Sequence, residues 1–173
     1  MTDPEVILVA GVSGSGKSTI GALLAERLGW DYAEADAFHS EANIAKMRSG
    51  HPLTDADRLP WLRAIAAWID ERLAVGRPGV VSCSALKRRY RDLLTGGHAE
   101  VRLVLLDGDR ETIAARMRAR KGHFFSAALL DSQFADLEPP EPDENIVSVP
   151  ITGTPEETVT HILKALDVTP RPR

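Results

Sequence analysis

Cysteine is nearly missing from this sequence, because Cys83 is the only one among 173 residues. A single thiol cannot form a disulfide within the chain, and no pair of cysteines has the spacing of a zinc site. Aromatic residues are also scarce, at 5% of the chain, whereas apolar residues as a whole make up 43%. These amounts predict a core built from aliphatic side chains without disulfide support.

The sequence also lacks long apolar runs and a large net charge. No apolar stretch is long enough to span a membrane, and no basic N-terminal region precedes an apolar segment as in a signal peptide. The formal net charge of −4 does not favour a nucleic-acid-binding surface. We therefore expect a single domain over residues 1–173 in the cytoplasm, with neither a membrane nor a nucleic acid as partner.

One short segment is the most informative part of the chain. Residues 11–18 read G-V-S-G-S-G-K-S and fit the pattern G-x-x-x-x-G-K-[ST] of the phosphate-binding P-loop. The apolar run at 6–10 before it is typical of a buried strand, and apolar residues recur at helical spacing after it. The nucleotide-binding residues predicted by this context are Gly11, Ser13, Gly14, Ser15, Gly16, Lys17, Ser18 and Thr19.

The residue types in this segment match the chemistry of phosphate binding. Glycines allow main-chain amides to approach phosphate oxygens without interference from Cβ atoms, and the following helix directs free N–H groups at them. Lys17 is predicted to bridge the β- and γ-phosphates of a nucleoside triphosphate, and the Ser18 hydroxyl to help hold Mg²⁺. The segment therefore predicts a triphosphate and a magnesium ion at one site.

Apolar runs alternate with helical patterns along the whole chain. A long helix is predicted to start at 57–60, and Thr154 begins a capping box with Pro155 at the first helical position. Such alternation predicts an α/β fold: the three-layer P-loop NTPase fold, a mostly parallel sheet with helices on both faces. The strands predicted after the first one are 31–36, 80–83, 101–106 and 145–149.

Ligands of such folds bind at the carboxyl ends of the strands, so residues that follow strands are candidates for chemistry. Asp36 follows the second strand, and we expect it to orient an acceptor hydroxyl and take its proton as a phosphoryl group is transferred. Glu34 is a candidate Mg²⁺ ligand through water, or else a surface charge. His39 is either a contact of the substrate or a packing or capping histidine.

A polar segment at 46–58 lies where small kinases insert substrate-binding flaps. Its cations Lys46 and Arg58 are candidates for holding an anionic group of the substrate, Arg58 with two parallel hydrogen bonds and Lys46 as a point charge. The alternative is a surface helix. Farther along the chain, the proline-rich acidic segment 138–144 is interpreted as a solvated connection.

Four cations in five residues, at 87–91, follow the strand that ends at Cys83. Lys87 and Arg91 are one helical turn apart, so they could share a face. A solvated helix face would explain such a cluster without any ligand. Its position at a strand end instead favours a role in binding, because ligands of this fold class collect at that edge.

A second basic cluster, at 116–121, precedes Gly122. Arg116 and Arg120 are predicted to share one helix face, with Gly122 as a hinge, so that the segment at about 118–130 forms a basic lid. Such a lid neutralises charge on the transferring phosphoryl oxygens and excludes water, which would otherwise hydrolyse the triphosphate. A basic loop without a ligand is the alternative.

Several blocks of the sequence resemble the gluconokinases of the P-loop type. Residues 34–39 read E-A-D-A-F-H, residues 82–91 read S-C-S-A-L-K-R-R-Y-R, and residues 122–124 read G-H-F. The further blocks are 11–19, position 43, 46–62 and 132–138. The resemblance covers most of the chain, and its middle blocks are far more specific than the P-loop.

This resemblance implies ATP-dependent phosphorylation of D-gluconate at its 6-hydroxyl with Mg²⁺, a homodimer, and a role in gluconate entry to the pentose phosphate or Entner–Doudoroff routes. It makes Asp36 the catalytic aspartate and places Arg116 or Arg120 in the lid. Glu34 stands where the family usually has aspartate, which bears on metal geometry. The candidate substrate contacts are Asp36, His39, Lys46, Arg58, Ser84, Lys87, Arg88 and His123.

Other readings of the P-loop are less well matched. A shikimate kinase typically has three glycines after the central strand, where this chain reads S-C-S at 82–84. A nucleoside monophosphate kinase would have its own phosphate-gripping pattern, and a regulatory GTPase an N-K-x-D segment. A non-catalytic ATP-binding module would need neither Asp36 nor a basic lid. The loop at 151–153 is the candidate adenine contact, by analogy with the fold alone.

Overall fold

The computed structural model describes residues 5–12, 14–51, 53–119, 127–144, 146–151 and 153–168. In these residues strands and helices alternate as the sequence predicts. The strands are β1 Val6–Ala10, β2 Asp31–Glu34, β3 Gly79–Ser82, β4 Val101–Asp107 and β5 Val147–Pro150. The helices are α1 Lys17–Leu28, α2 Glu41–Arg48, α3 Asp55–Val75, α4 Arg88–Thr95, α5 Arg110–Ala119, α6 Ala127–Asp136 and α7 Pro155–Leu166.

All the strand pairs are parallel, and the strand order is β2-β3-β1-β4-β5. Strand β1 is central, with Val6 in register with Gly79 of β3 on one side and Val101 of β4 on the other. Every strand therefore ends at the same edge, which collects the P-loop, the turn after β2 and the turn after β3. The α/β fold of the P-loop kinases predicted from the sequence is confirmed.

The sheet separates two apolar cores because successive side chains of a strand point to opposite faces. Ile7 and Val9 of β1 pack with α1, α5, α6 and α7, whereas Val6, Leu8 and Ala10 pack with α3 and α4. All five side chains are fully buried. Burial on both faces explains why β1 is a continuous apolar run.

The boundaries of several elements differ from the prediction, in each case for a local reason. Helix α3 begins two residues earlier than predicted, because Thr54 and Asp57 form a capping box. Asp36 lies outside β2, in a 3-10 turn over Ala35–Phe38. Strand β5 covers Val147–Pro150 rather than 145–149, and residue 145 lies outside the described residues. The capping box at Thr154 with Pro155 in the first turn is confirmed.

The predicted lid at about 118–130 is only partly described. Residues 118–119 complete α5, and residues 127–130 open α6, a helix that the sequence analysis did not predict. The residues between them lie outside the described part of the chain. The lid therefore stays a prediction, and its described ends are helical.

Candidate active site

The P-loop leads from the end of β1 into α1, which begins at Lys17. Gly14 and Gly16 have φ angles of +82° and +91°, a backbone region that residues with a Cβ rarely adopt. Gly16 occupies the N-cap position of α1 and has no side chain with which to cap it. The first turn of α1 therefore presents its N–H groups and the positive end of its dipole to the loop.

One hydroxyl of this loop lacks a partner in the described part of the chain, and one of its glycines is required by close packing on α5. The Ser15 hydroxyl is buried and has no hydrogen-bond partner among the described residues, which is costly unless a ligand supplies one. A Cβ on Gly14 would lie 2.7 Å from Cγ of Met117, so any side chain there would collide with α5. Ser18 and Thr19 are exposed, and Ser13 lies outside the described residues. The described residues fit a triphosphate.

Lys17 provides the positive charge at this loop. Desolvation of the half-buried ammonium lowers its pKa, and the nearby Asp36 and Glu34 carboxylates oppose that effect. The parallel sheet, in which β1 and β2 end at the same edge, places Lys17 of the P-loop within electrostatic reach of Asp36 in the turn after β2. The two residues that the sequence assigns to opposite sides of the reacting phosphate therefore lie at one site.

A hydrogen-bonded hub beneath Lys17 joins α1, β2 and β3, and its central residue is Tyr32. The Tyr32 hydroxyl lies 2.7 Å from Oε1 of Glu34, 2.9 Å from Oγ of Ser82 and 3.2 Å from the Ser18 carbonyl oxygen. Ser82 donates in turn to the Lys17 carbonyl at 2.9 Å. Burial raises the pKa of Tyr32 to about 12, so the phenol stays protonated.

This hub also positions the two candidate metal ligands. Hydrogen bonds from the Ser18 and Tyr32 hydroxyls lower the pKa of Glu34, so its carboxylate is ionised beside the Ser18 hydroxyl. The pairing of an ionised carboxylate with a hydroxyl suits Mg²⁺, which prefers oxygen ligands and keeps several waters. The sequence analysis missed Tyr32 and Ser82. The period-2 spacing of Tyr32 and Glu34 on β2 was the signal that could have placed both on one face.

Asp36 lies on the exposed side of the 3-10 turn, and His39 closes that turn by donating from its main-chain N–H to the Asp36 carbonyl at 3.3 Å. The His39 ring stacks on Trp61, with ring centroids 4.3 Å apart and planes 10° apart. Burial lowers the pKa of His39, and the charge of Arg58 lowers it further while Asp36 opposes both. The His39 ring is thus neutral and packed on Trp61, and a contact with the substrate stays a prediction.

The predicted substrate cations are held by carboxylates in this structure. Lys46 pairs with Asp57 at 2.6 Å, the same Asp57 that completes the capping box of α3. Arg58 donates to the Tyr90 hydroxyl at 3.2 Å and lies 3.9 Å from Asp136. A substrate anion at Lys46 would have to share that ammonium with Asp57.

Asp55, the first residue of α3, gathers a second group of donors. Its carboxylate accepts from Lys87 at 3.1 Å and from Arg89 and the Tyr90 hydroxyl, which together hold its pKa well below the usual range. Arg58 lies 4.0 Å from the same carboxylate. Arg58 of this cluster lies close enough to His39 for its charge to help lower the pKa of that ring. The cations of this cluster therefore gather around Asp55, on elements other than the phosphate loop.

The remaining cations of the basic cluster, Arg88 and Arg91, pair with the 138–144 segment rather than with Asp55. Arg91 is buried and pairs with Glu144 through bonds of 2.7 and 3.1 Å, and it also donates to the Leu86 carbonyl. The Arg88 guanidinium donates two hydrogen bonds, of 2.7 and 2.9 Å, to the Asp143 carboxylate. The idea that Lys87 and Arg91 share a face is therefore wrong for Arg91, which packs inward. The connection predicted at 138–144 is mostly exposed, as a solvated segment should be, and Arg88 and Arg91 also anchor it through Asp143 and Glu144.

The turn at 83–87 connects these groups to the sheet. Cys83 bonds from its main-chain N–H to the Val9 carbonyl at 3.0 Å, and burial raises the pKa of its thiol to about 12, so the thiol is inert. Ala85 has a φ angle of +42°, which is strained for a residue with a Cβ. Ser84, half-buried between them, remains a predicted substrate contact.

The predicted lid arginines are described only in part. Arg116 lies on α5 and donates from its guanidinium to the Ile151 carbonyl, within the loop that the sequence analysis assigned to adenine. Arg120, His123 and Thr152 lie outside the described residues. In the described part of the chain, no group of three or more His, Cys, Asp or Glu side chains could hold a metal ion, and no helix could cross a membrane.

Comparison with known proteins decides the family. A family model described as "AAA domain" matches residues 6–140. The gluconokinase of Gluconobacter oxydans (strain 621H) is 43% identical over 161 residues, which are 93% of this chain and 90% of that protein. The chain belongs to the gluconokinase family. A crystal structure of a gluconokinase from Sinorhizobium meliloti 1021 agrees, with 45% identity, a TM-score of 0.86, and coverage of 96% of this chain and 94% of that one.

The gluconokinase assignment also separates this chain from its nearest rival reading. A shikimate kinase from Aquifex aeolicus superimposes with a TM-score of 0.60 over 94% of this chain and 96% of that one. Its sequence is only 19% identical, so that likeness shows the shared P-loop kinase fold and nothing about the acceptor. The chain is a kinase of the gluconokinase family on a fold that several kinase families use.

Proposed function

We propose that this protein transfers the γ-phosphoryl group of ATP to the 6-hydroxyl of D-gluconate, which yields 6-phospho-D-gluconate and ADP. The observation that carries the proposal is identity of 43–45% with gluconokinases over more than nine-tenths of the chain. The geometry supports it independently. Lys17 of the phosphate loop lies within electrostatic reach of the Asp36 carboxylate, and a separate cluster around Asp55 supplies cations that suit a carboxylate.

The chain's own residues perform three tasks in this reaction. The P-loop amides and Lys17 bind the triphosphate and stabilise charge on its oxygens. Asp36 orients the 6-hydroxyl and accepts its proton as the oxygen bonds to the γ-phosphorus and the bond to the β-phosphate oxygen breaks. Ser18 and Glu34 would hold Mg²⁺, which neutralises phosphate charge when bound. ADP then leaves with the electron pair of the broken bond.

The anionic end of the substrate is assigned to the cations that lead away from Asp36. We assign the carboxylate of gluconate to Arg58 and Lys87, which would share their charge with Asp55 as Lys46 would share its own with Asp57. Further contacts from His39, Lys46, Ser84, Arg88 and His123, and charge neutralisation by Arg116 or Arg120 of the lid, complete the proposal. We also propose a cytoplasmic homodimer that feeds gluconate into the pentose phosphate or Entner–Doudoroff routes.

A panel assay of acceptors tests the function. ADP release is measured with ATP or GTP and with D-gluconate, other sugar acids, shikimate, or no acceptor. We expect ADP release with gluconate to exceed the release with every other acceptor and the acceptor-free background. Phosphorus NMR should identify the product as a C6 phosphate ester. Turnover with shikimate or another sugar acid but not with gluconate would overturn the substrate assignment, and ADP release at background with every acceptor would overturn the enzyme itself.

A further inference from the structure

Trp61 contacts the turn that carries Asp36 although it belongs to a different element. It lies near the start of α3, and only 6% of the residue is exposed. Its indole N–H donates to the main-chain carbonyl of Ala35 at 2.6 Å, a buried hydrogen bond between residues 26 positions apart. Ala35 immediately precedes Asp36, so this bond fixes the backbone on one side of the proposed catalytic carboxylate.

The same side chain also supports the other side of the turn. The face of the indole stacks against the His39 ring at a centroid distance of 4.3 Å. His39 closes the turn with its main-chain bond to Asp36. One tryptophan therefore holds residues 35 and 39, with Asp36 between them, by an edge contact and a face contact.

Such support matters because of the turn type. A 3-10 turn of four residues has poorer hydrogen-bond geometry than an α-helix and little stability of its own. The Asp36 side chain is exposed, so packing does not fix it and its position follows the backbone. A displacement of about 1 Å at a reacting group can cost about 100-fold in rate. A rigid partner on a 21-residue helix can prevent that displacement.

We propose that Trp61 is a positioning residue for phosphoryl transfer, which holds the turn over Ala35–Phe38 so that the Asp36 carboxylate meets the acceptor hydroxyl. The inference rests on the proposed function of Asp36. The hydrogen bond and the ring stack of Trp61 both go to the turn that carries Asp36, so its effect should appear in the chemical step rather than in ATP binding.

The test is Trp61→Phe, which keeps an aromatic ring for the stack and removes the N–H donor. We expect kcat to fall about ten-fold, the loss of one positioning hydrogen bond, while KM for ATP stays unchanged. The matched control is Trp68→Phe, the same change two turns along α3. Trp68 lies over the Arg72 guanidinium at 5.5 Å and beside Gly79, at the amino end of β3. The Trp68→Phe variant should therefore lower thermal stability without changing kcat.

A double-mutant cycle distinguishes positioning from general support of the fold. If Trp61 acts through the Asp36 carboxylate, Trp61→Phe should cost little further kcat in an Asp36→Asn background, whereas an unrelated effect would multiply. Equal kcat values for the two phenylalanine variants, or multiplicative losses in the cycle, overturn the inference. If Trp61→Phe does not fold, Trp61→Leu against Trp68→Leu gives the comparison, because leucine has neither the N–H donor nor the stacking ring, and a kcat loss at least as large is expected at position 61.

The acceptor panel separates this inference from the function on which it rests. The cycle is run with whichever acid the wild-type chain phosphorylates fastest. Wild-type activity together with indistinguishable position 61 and 68 variants refutes the role of Trp61 alone. A wild-type chain that phosphorylates none of the acids refutes the proposed function and this inference together.

Discussion

Lys17 illustrates at the residue scale how function opposes stability at this site. Its ammonium loses hydration between the P-loop and the turn after β2, and that loss lowers its pKa. When folding lowers the pKa of a basic group, the protonated form is less stable in the folded chain than in the unfolded one. Keeping the group protonated at neutral pH therefore lowers the free energy of unfolding. This cost fits a charge that is kept for the proposed interaction with phosphate and not for the stability of the fold.

Lys17→Ala should separate these two roles. We expect turnover to fall by about 100-fold or more, because the phosphate loop loses its cation, while Tm stays level or rises. Steady-state kinetics and thermal unfolding measure the two effects on the same sample. Lys164→Ala, an identical change at an exposed position on α7, should leave both unchanged. Retention of most of the kcat by Lys17→Ala would show that the P-loop assignment is wrong.

At the scale of elements, the segment between α6 and β5 is fastened to α4 by charge. The Glu138 side chain accepts from the main-chain N–H of Arg88 at 2.7 Å, and the Glu138 N–H donates to the Leu86 carbonyl at 2.8 Å. Arg91 and Glu144 form the innermost pair, with only 3% of each side chain exposed. This fastening holds the strained turn at 83–87, whose neighbours include the cations assigned to substrate.

Glu144→Gln tests how much this fastening contributes. The substitution keeps the size of the side chain but leaves the Arg91 guanidinium buried without a counter-charge, which should destabilise the fold by about 3 kcal/mol and lower Tm by roughly 6–12 °C. Thermal unfolding at neutral pH measures it. The control is Glu141→Gln, which removes an exposed partner of Arg88 and should change Tm little. Equal shifts for the two variants would contradict a special role for the buried pair.

The periodic elements were predictable because their causes are local. The apolar run of β1, the helical spacing after Lys17 and the capping box at Thr154 each act within a few residues, and the structure contains all three. Helix α6 was missed because the segment at about 118–130, which includes its first residues, was interpreted as a basic lid. The start of α3 was misplaced because the pairing of Thr54 with Asp57 was not recognised as a cap.

The site was predictable only where a motif specifies it. The P-loop fixes Lys17 and Ser18, and the position of Asp36 follows from the rule that chemistry collects at strand ends. The partners of the cations were not predictable, because Arg58 and Tyr90 are 32 positions apart and Arg91 and Glu144 are 53 apart. Pairs at such separations are set by the packing of α3 on α4 and of the 138–144 segment on α4, which no local pattern encodes.

Considered as a whole, the molecule depends on ionised carboxylates well beyond its active site. Hydrogen bonds and nearby cations lower the pKa of Asp57 to about 2 and also lower the pKa values of Asp109, Asp131 and Asp143. Each of these carboxylates caps the start of a helix or pairs with an arginine on another element. An acidic chain with a net charge of −4 thus uses several of its negative charges as structural partners.

The sign of the resulting pH dependence follows from these directions. A carboxyl whose pKa is lower in the folded state stabilises the fold above its unfolded pKa, and that contribution is lost as pH falls through the folded value. Ordinary values are 3.8 for aspartate and 4.5 for glutamate. The free energy of unfolding should therefore fall steeply from about pH 4.5 towards pH 2. Burial of neutral His39 adds a shallower decline that begins near its ordinary pKa of 6.5.

Comparing wild type with Glu144→Gln across this range isolates one group, because His39 and the other carboxylates are common to both chains. The hydrogen bond from Arg91 lowers the pKa of Glu144, and glutamine resembles the protonated acid. The difference in unfolding free energy should be level above pH 4.5 and shrink below it as Glu144 takes up its proton. Urea unfolding at a series of pH values measures that difference. A gap that stays constant down to the lowest pH at which both chains fold would mean that the charge of Glu144 contributes nothing to holding the 138–144 segment.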